Sequence, residues 1–173
     1  LPKKELKKNV SSLTKFSADL LNKNMINPEY QGPLVKIIYE DESFLVLEKP
    51  AGIHGHPLEY SDKENILSFI RSINKGKILS VNCEKAERGL LYRLDLETSG
   101  VLVYVKEDFV FDELFQNRKT LITKKYYLAL VKGKTESDMS LQDQIIGSET
   151  KGSKMKVDPE GKESELTYKT IKY

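Results

Sequence analysis

The stretch LLYRLDLETSGVLVYV, residues 90–105, sets Arg93 and Asp95 two positions apart at the end of one apolar run, just before a Thr-Ser-Gly turn and a second apolar run. Both runs are rich in Leu, Val and Tyr, so they read as two buried strands of one sheet, ERGLLYRL (87–94) and GVLVYVK (100–106). Residues i and i+2 of a strand share a face, so a local Arg93–Asp95 ion pair is one reading. The other follows from cost: a carboxylate that opens from the buried middle of a sheet must be paired or functional.

Working outward, LVKIIYE and SFLVLEK flank a tight Asp-Glu connection and read as a hairpin, followed by a Pro- and Gly-bearing loop, KPAGIHGHP. In ENILSFIRSI, residues Ile66, Leu67, Phe69, Ile70 and Ile73 form one helical face. DFVFDELFQN reads as a second helix and KKYYLALV as a long strand, with further strands at QIIG, KMKV and ELTYKTIKY. Strands outnumber helices and short turns link them. The expected fold is α+β, a mixed, mostly antiparallel central sheet flanked by helices. Before it, Val10, Leu13, Phe16, Leu20 and Leu21 recur at helical spacing, and NPEYQGP breaks the pattern. Residues 1–32 are therefore expected to be a helix and linker, and residues 33–173 the main domain. The chain opens on Leu1 and closes within an alternating, strand-like stretch, which reads as a chain cut from a longer one.

Composition excludes several classes. With 39% hydrophobic and 31% charged residues, no apolar run approaches the roughly 20 residues of a membrane-spanning helix. No long apolar stretch follows the basic start, so a secretory signal is not expected there. The single Cys83 cannot form an internal disulfide, in keeping with a reducing cytoplasm, and one Cys with two His falls short of the usual zinc ligand sets. Neither a metal nor a cofactor is expected. The net charge is only +2, but residues 117–134, NRKTLITKKYYLALVKGK, hold six Lys or Arg, no acid and two adjacent tyrosines. Cations neutralise phosphates and aromatic faces stack on bases, so Arg118, Lys124 and Lys125 form a candidate RNA-binding run; the plainer reading is a solvated strand face.

YRLDLETSGVLVYVK resembles the signature of the RluA-type family of RNA pseudouridine synthases, usually His-Arg-Leu-Asp, two variable residues and Thr-Ser-Gly. LVLEKPAGIHGHP, KYYLALVKG and KMKVDPEGKESELTYK resemble the family's other landmarks, in order, over residues 34–173. The resemblance implies the pseudouridine synthase catalytic fold and isomerisation of a uridine in ribosomal or transfer RNA, without a cofactor. It implies Asp95 as the nucleophile, or as base for a glycal route, and Tyr127 as the ring that stacks on the uracil and takes part in proton removal at C5. Arg93 would fill the stack vacated by the flipped base or hold a phosphate. Lys49 and Lys125 match family positions with phosphate-facing or structural roles.

Two departures stand out. Tyr92 replaces the usual histidine, and the family's Gly-Arg-x-His-Gln-Ile-Arg segment, whose basic residue partners the aspartate, has no match and is expected beyond Tyr173. Residues 1–32 would then be the remnant of an upstream RNA-binding domain, S4-like in many relatives, and the full-length protein a cytoplasmic monomer. The alternative is a non-catalytic or fragmentary RNA-binding module using the 117–134 run, with Asp95 structural.

Overall fold

The computed structural model describes residues 26–135, 139–147 and 155–172. The helix expected from Val10 to Leu21 lies outside them. The chain divides into two compact units, Leu1–Lys124 and Lys125–Tyr173, and each holds one three-stranded antiparallel sheet. Helices and antiparallel sheets are mixed as expected, but the described strands form two three-stranded sheets and not one central sheet.

In the first unit, β1 (Lys36–Glu40) and β2 (Phe44–Lys49) form the expected hairpin. Asp41 closes its turn by accepting from the Ser43 and Phe44 amides at 2.9 and 2.7 Å, the usual way an Asp side chain stands in for a backbone turn. β3 (Gly100–Val105) runs antiparallel to β2, from Phe44 opposite Val105 to Lys49 opposite Gly100. Alternation turns Leu45, Leu47 and Lys49 inward, where they are fully buried with Leu102 and Tyr104. The helix α1 (Ile66–Ser72) starts where the Asn65 side chain accepts from the Ser68 amide at 2.9 Å, an N-cap. It puts Ile66, Leu67 and Ile70 into the same core as the sheet residues. A single turn, α2 (Lys77–Ser80), follows. After β3, α3 (Asp108–Gln116) buries Phe111 with Val81 and Val105, and the short α4 (Arg118–Leu121) follows it.

The strand expected over residues 87–94 does not form. Leu90 makes one bridge to Tyr104, the Leu91 amide donates to Val103 and the Val105 amide donates to Gly89, and the chain then leaves the sheet. Two features of the backbone explain the interruption. Arg88 sits at φ +54°, and a Cβ on Gly89 would lie 2.3 Å from the Val105 carbonyl oxygen, an approach only glycine allows. The leucines that suggested a strand serve packing instead: Leu90 fills the main core and Leu91 packs on the Phe111 cluster.

In the second unit β4 (Met139–Ile146) is central, flanked by β5 (Lys156–Val157) and β6 (Lys162–Tyr168). QIIG and KMKV fall on β4 and β5 as expected. The last strand, read from alternation as running to Tyr173, ends at Tyr168, where its pairing with Met139 is the last of the ladder. The long strand expected over KKYYLALV has no ladder among the described residues. Tyr126 and Leu128 are 86% and 88% exposed there and Leu130 wholly so. Strand preference in Tyr, Leu and Val is a preference for a pleated, half-buried surface, and these side chains are not half-buried against the described residues.

Candidate active site

Asp95 lies in the turn between Leu94 and β3, its side chain exposed, and its own carbonyl accepts from the Thr98 amide at 3.1 Å. The expectation of a buried carboxylate is thus corrected: because residues 93–95 leave the sheet, Asp95 is carried out of the core into water. The turn is nonetheless held from beneath. The Leu96 carbonyl accepts from the Gly52 amide at 2.8 Å and from the Lys49 ammonium at 3.2 Å. Lys49 also donates to Ile53 at 2.7 Å and Pro50 at 3.1 Å. One buried ammonium therefore fastens the 50–53 loop to the Asp95 turn.

Position and composition explain why a lysine can sit there. Lys49 is the last inward-facing residue of β2, opposite Gly100 in the register. Gly52, at φ +87°, lets the Lys-Pro-Ala-Gly loop fold back so that carbonyls surround the ammonium. Burial lowers the Lys49 pKa below its ordinary value, and the carboxylates of Glu97 and Asp95 oppose that shift. The loop is fixed at its far side too, where the buried Tyr104 hydroxyl donates to Gly55 at 2.6 Å and the Ile66 amide to His54 at 3.0 Å.

Arg93 does not pair with Asp95. Its guanidinium lies 3.6 Å from Glu87 Oε1, and His56 Nε2 lies 3.8 Å from the same oxygen. Tyr92, at the position where histidine was expected, donates to the Val101 carbonyl at 3.2 Å. Arg118 opens α4 with its guanidinium carbon 4.2 Å from the Phe115 ring centroid, a cation–π contact. Lys124 closes the first unit and is exposed; Lys125 and Tyr127 belong to the second unit and are exposed as well. The structure therefore brings Lys49 and the Asp95 turn together and sets Arg93 against Glu87. Lys49, expected among RNA-facing residues, is fully buried. Glu87 and Gly52 were not singled out from sequence. Nothing in local spacing links Glu87 to a residue six positions on, whereas Gly52 was visible as the glycine of a Lys-Pro-x-Gly loop.

Chemically, the turn presents the Asp95 and Glu97 carboxylates to solvent, with the Lys49 ammonium bonded to the Leu96 carbonyl between them and a second cation, Arg93, two residues before Asp95. Such a carboxylate can attack an electrophilic carbon or accept a proton. Among the described residues no cluster of three or more His, Cys, Asp or Glu is placed to hold a metal.

Known proteins share this sequence pattern. Residues 43–173 match the family described as RNA pseudouridylate synthase. Ribosomal large subunit pseudouridine synthase D of Borreliella burgdorferi is 38% identical over 103 residues, covering 60% of this chain and 32% of that protein. An uncharacterized RNA pseudouridine synthase of Aquifex aeolicus is 36% identical over 143 residues, covering 80% and 43%. Ribosomal large subunit pseudouridine synthase C of Buchnera aphidicola is 33% identical over 142 residues, covering 79% and 41%. A solved structure, human RNA pseudouridylate synthase domain containing 4, aligns at 20% identity and a TM-score of 0.39 over 91% of this chain and 54% of its own. The chain thus spans well under half the length of these curated relatives. The family match begins at the β1–β2 turn and takes in the Lys49 loop, the Asp95 turn and the second unit, and over that greater part of its length the chain belongs to the RNA pseudouridylate synthase family.

Proposed function

We propose that the protein isomerises uridine to pseudouridine in a structured RNA, with Asp95 as the attacking or proton-accepting group, and that residues 33–173 form part of its catalytic domain. The observation that carries the reading is the exposed Asp95 carboxylate on a turn fastened at Leu96 by Lys49 and Gly52. A group that must meet a flipped nucleotide has to be both accessible and held still. In this reading Tyr127 stacks on the uracil and its hydroxyl takes part in proton removal at C5. Arg93, Arg118, Lys124 and Lys125 meet phosphates or the vacated stack. Lys49 acts from inside the fold and not on RNA. Relatives named for the ribosomal large subunit favour ribosomal RNA as substrate.

The test uses the full-length protein and two RNAs carrying tritium at uridine C5, a large-subunit ribosomal transcript and a bulk transfer RNA. Tritium release is expected from the first. Asp95→Asn keeps the shape and removes the nucleophile, so release should fall by about a thousandfold or more with RNA binding retained. Turnover retained by that variant would remove Asp95 from the chemistry, whereas RNA binding without any release by the wild type would leave only the RNA-binding reading. Release from transfer RNA alone would redirect the substrate while keeping the chemistry.

A further inference from the structure

The exposed cation two residues before the proposed nucleophile has a fixed neighbour that its own segment did not suggest. Glu87 Oε1 stands 3.6 Å from Arg93 Nη1 and 3.8 Å from His56 Nε2. Three stretches converge on this one oxygen: the loop after β2, the 82–89 turn and the segment leading to Asp95. The turn that carries Glu87 is rigid. Arg88 is buried in a left-handed conformation, the Asn82 side chain donates to the Arg88 carbonyl at 3.2 Å, and Gly89 is pressed against β3. His56 is mostly buried, its side chain 15% exposed, whereas Arg93 is 69% exposed. A carboxylate on a turn held by these contacts and flanked by a histidine therefore faces the guanidinium of a long, largely exposed side chain. We propose that Glu87 is the positioning residue for Arg93, holding its guanidinium beside the Asp95 turn so that it meets the RNA pre-oriented.

This inference rests on the proposed RNA chemistry, since orientation of Arg93 matters only if Arg93 engages RNA. Removing Glu87 leaves the charge of Arg93 in place, so attraction to phosphate persists while the guanidinium loses its set direction. Orientation then affects the step that needs geometry more than the step that needs charge.

The experiment is a double-mutant cycle in the full-length protein on the tritiated large-subunit ribosomal transcript, reading kcat, KM and RNA affinity. Glu87→Gln should lower kcat about tenfold, with KM and RNA affinity unchanged or slightly improved. In an Arg93→Ala background the same change should have no further effect on kcat. Arg93 is largely exposed and Glu87 half-buried, and at 3.6 Å such a pair adds little to stability, so Glu87→Gln should unfold at nearly the wild-type temperature. A kcat loss that persists undiminished in the Arg93→Ala background, or a Glu87→Gln variant with wild-type kcat, overturns the assignment while the wild type's turnover upholds the reaction. A wild type that neither binds nor turns over the transcript overturns both.

Discussion

Lys49 shows how one residue can organise a site without touching substrate. It occupies a core position, where an ammonium is costly to bury, and three backbone carbonyls surround it. Lys49→Met keeps the length and apolar stem but strips the donor from Pro50 and Ile53, while Leu96 retains the Gly52 amide. Two unsatisfied buried carbonyls set against relief of a buried charge give a net destabilisation of about 2 kcal/mol, measurable by urea unfolding at neutral pH. The pH dependence has a definite sign. Burial lowers the folded pKa of Lys49 below the unfolded value of 10.5. Between those two values the unfolded chain holds a proton that the folded chain lacks, so wild-type stability relative to Lys49→Met should rise as pH climbs towards 10.5. A difference that stays flat or shrinks over that range would show that the ammonium is not burdened by burial.

At the scale of elements, the hairpin is tied to its surroundings by Glu40 at the end of β1. Its carboxylate meets Lys106 at 2.7 Å and Lys75 at 2.8 Å, so residues following β3 and α1 converge on it. Hydrogen bonds first from Lys106 and then from Lys75 hold its pKa below the ordinary carboxylate value of 4.5. The stabilisation is present above 4.5 and fades as pH falls through and below it; Glu40→Gln should cost about 1 kcal/mol or less at pH 7 and nothing near pH 2. Denaturant midpoints at the two pH values check this, and an equal loss at both would assign Glu40 a packing role. The elements themselves were legible where pattern and packing agree: the hairpin, α1 and β3 follow from alternation and from helical spacing of Ile66, Leu67 and Ile70. They were illegible where apolar residues serve another purpose. Leu90 and Leu91 are core fillers on a turn, and the Tyr-, Leu- and Val-rich residues 126–131 have strand preference but no ladder among the described residues. The same split runs through the site: the Asp95 turn and the Lys-Pro-x-Gly loop are visible as motifs. The Glu87–Arg93 pair depends on tertiary contacts that no local pattern encodes, whereas the inward turn of Lys49 follows the alternation of β2 and was overlooked because a lysine was expected to face out.

At the scale of the whole molecule, the two units differ in how they treat apolar surface. The first buries a continuous core. In the second, register places Met139, Leu141, Tyr168 and Leu166 on one face of the β4–β6 pair. Leu141 and Leu166, directly opposite one another, are 39% and 59% exposed, and Val157, Leu128 and Leu130 are exposed as well. Exposed apolar surface of this kind seeks a partner, whether another segment of polypeptide or another molecule. A polypeptide of these 173 residues made alone should therefore self-associate, with light-scattering mass rising over roughly the micromolar to hundred-micromolar range. Replacing exposed apolar side chains of this unit by charge, as in Leu128→Glu with Leu166→Glu, should return it towards a monomer, because both positions face solvent. The first unit serves as the internal control: its near-ultraviolet tyrosine signal, dominated by the buried Tyr104, should be the same in the parent and the double variant. A parent polypeptide that stays monomeric throughout would mean that its apolar surface is covered from within the chain. A double variant that still associates would move the association to another surface.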